Sequence, residues 1–154
     1  MNDRFSFKAW DKEKKIMYQA AFIDFYRIVC YEIVEDRGMY INFSNMVEYD
    51  ISDKNLVIIQ CTGLKDKNGR LIFEGDIIAQ MEVGYDMDDN EIEIPEVIGF
   101  VEWRGEEHYP AFEIVTDESH YFECNAFSHL FAMDENIIVI GNIYENPELL
   151  ETTK

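Results

Sequence analysis

Apolar and polar positions alternate with a period of two along much of the chain. In RFSFKAW, Phe5, Phe7 and Ala9 fall on one side and Arg4, Ser6 and Lys8 on the other, which predicts a half-buried strand. The charged DKEKK then turns the chain into Ile16, Met17 and Tyr18, so residues 4–18 are expected to form a hairpin. FIDFYRIVCYEIV carries two patterns at once. Phe22, Phe25, Tyr26 and Val29 have helical spacing, whereas Ile28, Val29, Tyr31, Ile33 and Val34 are strand formers. A strand over 28–34 is favoured, with Met39 to Phe43 pairing back beyond the Arg37-Gly38 turn.

LVIIQ at 56–60 is a short continuous apolar run, the mark of a buried strand. Asn68-Gly69 predicts a tight type I′ turn, because that turn needs positive φ at both central residues. It leads into Leu71, Ile72 and Phe73, and Gly75-Asp76 makes a second turn. Further strands are expected over 77–83, 97–103, 111–115 and 136–144. In the last, Ile138 and Ile140 are expected to face the core beside Val101 and Ile114. The acidic stretch YDMDDNEIEIPE at 85–96 predicts an exposed loop. Phe127, Leu130 and Phe131 predict one helical turn over 125–131. Asn146-Pro147-Glu148 supplies an N-cap, a first-turn proline and a first-turn acid for a short terminal helix.

Short strands with turn signals between them define a mostly β protein with minor α, a small barrel or sandwich. The 154 residues suit one domain or two small ones. The expected division is an N-terminal β region of hairpin and sheet over 1–60 and a second region over 61–154, together one compact unit.

Charge changes the picture. The chain has 13 Lys+Arg against 32 Asp+Glu, a net charge of −19. Residues 1–75 hold 12 acids and 11 bases, and residues 76–154 hold 20 acids and two bases, Arg104 and Lys154. The first half is therefore nearly neutral and the second almost purely anionic. Such a surface repels duplex DNA and anionic lipid, which argues against direct nucleic-acid or membrane partners. The aromatic content of 14% is too high for a disordered acidic tail. No stretch approaches the roughly 20 apolar residues of a membrane span. The segment MNDRFSFKAWDKEKK lacks the apolar core of a secretion signal, so the expected location is the cytoplasm. The acidic half is either a solvated face or a docking surface for a basic protein. Candidate partner-binding residues are Asp86, Asp88, Asp89, Glu91 and Glu93.

The chemistry-bearing residues make no catalytic pattern. Cys30, Cys61 and Cys124 are widely spaced, with no C-x-x-C pair, which fits buried reduced thiols. His120, Cys124 and His129 offer zinc-type ligands but lack the tight pairs of a structural site. Asp86, Asp88 and Asn90 echo the start of a calcium loop, yet its sixth position is Glu91 rather than Gly and its twelfth is Val97 rather than Glu. No dinucleotide, phosphate-loop or nucleophile-elbow motif is present. Trp10 and Trp103 lack a basic groove beside them, so they are expected to pack in the core rather than stack on bases. No catalytic, cofactor-binding or metal-binding residue is assigned.

Three segments together carry a family resemblance. FSFKAWDKEKKIMY, TGLKDKNGRLIFEGDII and VIGNIYENPELL resemble the YopX family of phage and prophage proteins, in that family's order. The resemblance leaves out the acidic insertion around Tyr85 to Glu96 and the segment 104–135. It implies a mostly β architecture with an SH3-like barrel in the C-terminal part. It brings no reaction and no catalytic residues, and its motif residues, among them Glu74-Gly75-Asp76 and Gly141-Asn142, look structural. The expected function is that of a non-enzymatic phage or prophage accessory protein. It would act by contact between its acidic surface and a basic host or phage protein. The alternative is a DNA mimic that blocks a host nucleic-acid-binding protein. Self-association through the mixed-charge first half is also expected, because exposed aromatic side chains favour interfaces.

Overall fold

The computed structural model describes residues 6–32, 46–104, 111–115 and 137–153. The chain is mostly β and its strands form two antiparallel sheets. Its internal contacts divide it into two units, Met1–Cys61 and Thr62–Lys154.

In the first unit, β1 (Phe7–Asp11) and β2 (Ile16–Ile23) form the expected hairpin, with Ala9 opposite Tyr18 and Trp10 opposite Met17. The turn between them is built by Asp11. Its carboxylate accepts the backbone N–H groups of Glu13 and Lys14 at 2.9 and 2.8 Å, and Lys15 takes the left-handed conformation with φ 58°. The ambiguous run resolves as strand. β2 continues to Ile23, Asp24 accepts the N–H groups of Tyr26 and Arg27, and β3 (Arg27–Glu32) returns. β3 pairs with β4 (Met46–Asp50); the expected partner at 39–43 lies outside the described residues. β5 (Leu56–Lys65) pairs with β1 on the other side. Ala9, Tyr18, Ile28 and Cys30 are the buried centre of this unit. LVIIQ is less buried than its composition suggests, with Ile59 as its one fully buried member.

β5 runs on past Cys61 into the second unit, where its neighbour is β6 (Leu71–Phe73). The remaining strands are β7 (Asp76–Tyr85), β8 (Glu91–Arg104), β9 (Ala111–Val115) and β10 (Ile137–Asn142), in the order β10-β7-β8-β9. Ile72, Ile78, Val101, Ile114, Ile137 and Val139 form the core, with Leu64 and Phe112 against it. The last strand is found as expected, but its inward parity is inverted. Ile137 and Val139 face the core, while Ile138 and Ile140 are half-buried. NIIVI is apolar at every position, so its sequence carries no alternation to fix the face. A bulge between Val139 and Gly141 then shifts the register against β7.

The expected loop at 85–96 is also corrected. Only residues 86–90 turn, and β8 already begins at Glu91. Its Glu-Ile-Glu-Ile alternation has strand period, which outweighs its charge. The terminal helix is a 3₁₀ helix, η1 (Pro147–Thr153). Leu149 packs so closely on Gly141 that a Cβ there would lie 2.7 Å from its Cδ1. The helical turn expected at 125–131, with Cys124 and the histidines, lies outside the described residues. Among the described residues the second sheet does not close into a barrel.

Candidate functional site: the β7–β8 arm

β7 and β8 extend beyond their sheet neighbours. β10 pairs with β7 only over residues 76–80, and β9 pairs with β8 only over 100–104. From 81 to 85 and from 91 to 97, the two strands pair only with each other among the described residues. They form a two-stranded arm, reached through a bulge between Gln80 and Met81.

The tip is fixed by Asp86. Its Oδ1 accepts the backbone N–H groups of Asp88 and Asn90, each at 2.9 Å, and Asn90 Nδ2 donates to both carboxylate oxygens. The side-chain and backbone hydrogen bonds from Asn90, with that from Asp88, hold the Asp86 carboxyl below its ordinary range. Asp89 takes the left-handed conformation, φ 58°. The supposed echo of a calcium loop is thus a self-capped turn, whose first carboxylate is spent on its own backbone. Among the described residues no three His, Cys, Asp or Glu side chains could hold a metal ion.

Cross-strand partners share a face. One face carries Val83 opposite Glu93 and Tyr85 opposite Glu91; the other carries Glu82 opposite Ile94 and Gly84 opposite Ile92. Ile94 folds over Gly84, where a Cβ would lie 2.9 Å from its Cδ1. Both faces are solvent-exposed: Val83 is 66% exposed, Tyr85 65%, Ile92 40% and Ile94 42%, and Met87 at the tip stands clear of the protein. Of the candidate residues, Asp86 is a turn former, Asp88 and Asp89 stand at the exposed tip, and Glu91 and Glu93 share one face. Lys67 reaches across to ion-pair with Glu93. Sequence reasoning missed the five exposed apolar side chains among these acids; the Glu-Ile-Glu-Ile alternation was the signal for them.

The other polar clusters are structural. Asp66 is buried, accepts Asn68 and Arg70 N–H at Oδ1, each at 2.9 Å, and accepts Val139 N–H at Oδ2, 3.1 Å away. The Asn68-Gly69 turn is therefore not type I′. Gly69 has φ 80°, but Asn68 is not left-handed, because the Asp66 carboxylate organises a longer loop closed by Asp66 N–H on Arg70 O. Asp76 accepts Phe73 N–H, and Asn142 Oδ1 accepts the N–H groups of Tyr144 and Glu145. In the first unit, Tyr49 Oη donates to Asp11 at 2.6 Å, and Lys14 Nζ lies 2.8 Å from Tyr49 Oη and 3.1 Å from Asp11. Burial pushes the Asp11 carboxyl up, but the hydrogen bonds from Lys14, Tyr49 and Glu13 outweigh it and bring it to about 2. Burial, then the bond to Asp11, pushes the Tyr49 phenol up. Trp10 is buried, and Trp103 is half-exposed with its ring edge-on to Phe112 at 4.9 Å. At the β2–β3 tip, Phe25 and Tyr26 are exposed, with Phe22 half-exposed beside them.

The arrangement defines a small antiparallel β protein whose conserved-looking motif residues serve turns and close packing rather than chemistry. The chain belongs to the YopX protein family, which it matches over residues 6–151, the acidic insertion included. It is similar in fold to protein EF1440 from Enterococcus faecalis, known from a crystal structure. The two are 24% identical, with 94% of this chain and 96% of that chain covered and a TM-score of 0.56. No curated protein matches the chain. No helix among the described residues is long and apolar enough to cross a membrane.

Proposed function

We propose that this chain is a non-enzymatic accessory protein of a phage or prophage, working in the bacterial cytoplasm by protein–protein contact through its acidic second half. The observation that carries this reading is the β7–β8 arm. It holds Asp88, Asp89, Glu91 and Glu93 on exposed backbone, and no Lys, Arg or His occurs between Leu71 and Trp103. The partner is a host or phage protein with a basic surface, attracted by a field that reaches about 8 Å at physiological salt. The SH3-like barrel belongs to the same proposal. It is supported by the antiparallel strands of the second unit and their register shifts, which curve small sheets. The mixed-charge first unit, with Phe22, Phe25 and Tyr26 exposed, is proposed as the surface for self-association. A DNA mimic needs uninterrupted rows of carboxylates. Glu91 and Glu93 alternate with Ile92 and Ile94 and face Tyr85 and Val83, which favours a protein partner.

Site-directed photocrosslinking in prophage-bearing cells tests this. With a benzophenone amino acid in place of Met87, one discrete crosslinked protein is expected. It should disappear when Asp88, Asp89 and Glu91 are neutralised together, and persist when Glu145, Glu148 and Glu151 are. Crosslinking that both triple variants affect equally, or none at all, overturns the docking role.

A further inference from the structure

An exposed sheet edge carries unpaired N–H and C=O groups and is a template for another strand. Soluble proteins blunt such edges with charge, most often lysine. Here the edge of β8 over 91–97 has no neighbour among the described residues, and its charges are all acidic. The two faces of that edge differ. Glu91 and Glu93 point one way, and Ile92 and Ile94 the other, as the period of a strand requires. A strand added there places its own alternate residues against two glutamates on one face and two isoleucines on the other. A second copy of this edge does not fit, since antiparallel self-pairing sets glutamate against glutamate.

We propose that the open edge of β8 over residues 91–97 takes up an extended segment of a partner protein in which basic and apolar residues alternate. This rests on the docking role of the arm and adds its geometry: main-chain hydrogen bonds hold the segment, Glu91 and Glu93 select Lys or Arg, and Ile92 and Ile94 select the apolar residues between them. The acids then serve twice, refusing a second copy and admitting the complementary strand.

The test titrates the full chain with two fluorescent peptides of equal composition, each about eight residues long, matching the open edge. In one, Lys and Val alternate; in the other, a Lys block precedes a Val block. The alternating peptide is expected to bind about tenfold more tightly, the worth of a few cross-strand pairs. Its binding should slow amide exchange along residues 91–97. Glu91→Gln with Glu93→Gln, and separately Ile92→Thr, should each erase that preference, and Glu148→Gln with Glu151→Gln should leave it. Equal binding of the two peptides, exchange protection elsewhere, or no binding of the alternating peptide overturns the strand-addition geometry. The crosslink at position 87 is indifferent to peptide pattern. A retained crosslink beside a failed titration therefore overturns this inference alone, and loss of the crosslink overturns the docking role itself.

Discussion

The turns at 66–70 and 86–90 have the same internal design and opposite settings. In each, an aspartate accepts the N–H groups two and four residues on, its own N–H bonds the carbonyl of the fifth residue, and the fourth residue is left-handed, Gly69 in one and Asp89 in the other. Asp66, however, turns its second oxygen to Val139 N–H and is buried, whereas Asp86 gives its second oxygen only to Asn90 and lies in solvent. Long-range bonding therefore separates them. One turn clamps the last strand to the body of its unit; the other holds up the tip of an arm. Aspartate in this chain is first a builder of turns, at Asp11, Asp24, Asp50, Asp53, Asp66 and Asp86 alike, and only the acids left over present charge.

That contrast can be broken most sharply at the two carboxylates. Asp66→Ala strands the buried Val139 N–H and two turn amides. It is expected to cost about 2–4 kcal/mol in urea unfolding followed by Trp103 fluorescence. Asp86→Ala should leave the midpoint unchanged and only speed amide exchange at Asp88 and Asn90. Acid sharpens the comparison through a third turn. The Asp11 carboxyl lies near 2 in the folded chain against an ordinary 3.8, so its stabilisation is complete above about pH 4 and is lost as pH falls toward 2. The loss should be about 2 kcal/mol in acid titration of stability, and Asp11→Asn should remove that dependence. Gly69→Val forces a branched side chain into φ 80° and should cost about 2 kcal/mol by thermal melting. At the matching position of the free turn, Asp89→Gly relieves the left-handed strain and should stabilise by less than about 1 kcal/mol, seen as slower exchange at the arm tip.

Strand content was legible wherever side chains alternate or turn residues punctuate. RFSFKAW, the hairpin into Ile16 and the strand at 111–115 all form as the pattern requires. The failures share a cause. NIIVI has no polar phase, so only packing decides that Ile137 and Val139 face inward. At 85–96 charge masked a period-two signal that was present. At Asn68-Gly69 the dipeptide announced a turn, but its type was set by Asp66, a residue outside the pair, and by a strand more than seventy positions away. The candidate acids were correctly placed on the surface by composition. Composition does not show that Asp86 is occupied by its own turn, because that depends on which backbone donors the carboxylate finds.

Cys30 gives the first unit a built-in clock. Its thiol is sealed in the core with Ala9, Tyr18 and Ile28, is not joined in a disulfide, and is pushed up to about 11 by burial. Alkylating reagents attack the thiolate, so the closed form is doubly protected, by lack of access and by lack of charge. Labelling then proceeds only through openings that expose β3, and its rate measures how often the sheet breathes. A peptide seated on the arm or an altered turn at Asp11 would register as a change in that rate at a residue neither of them touches.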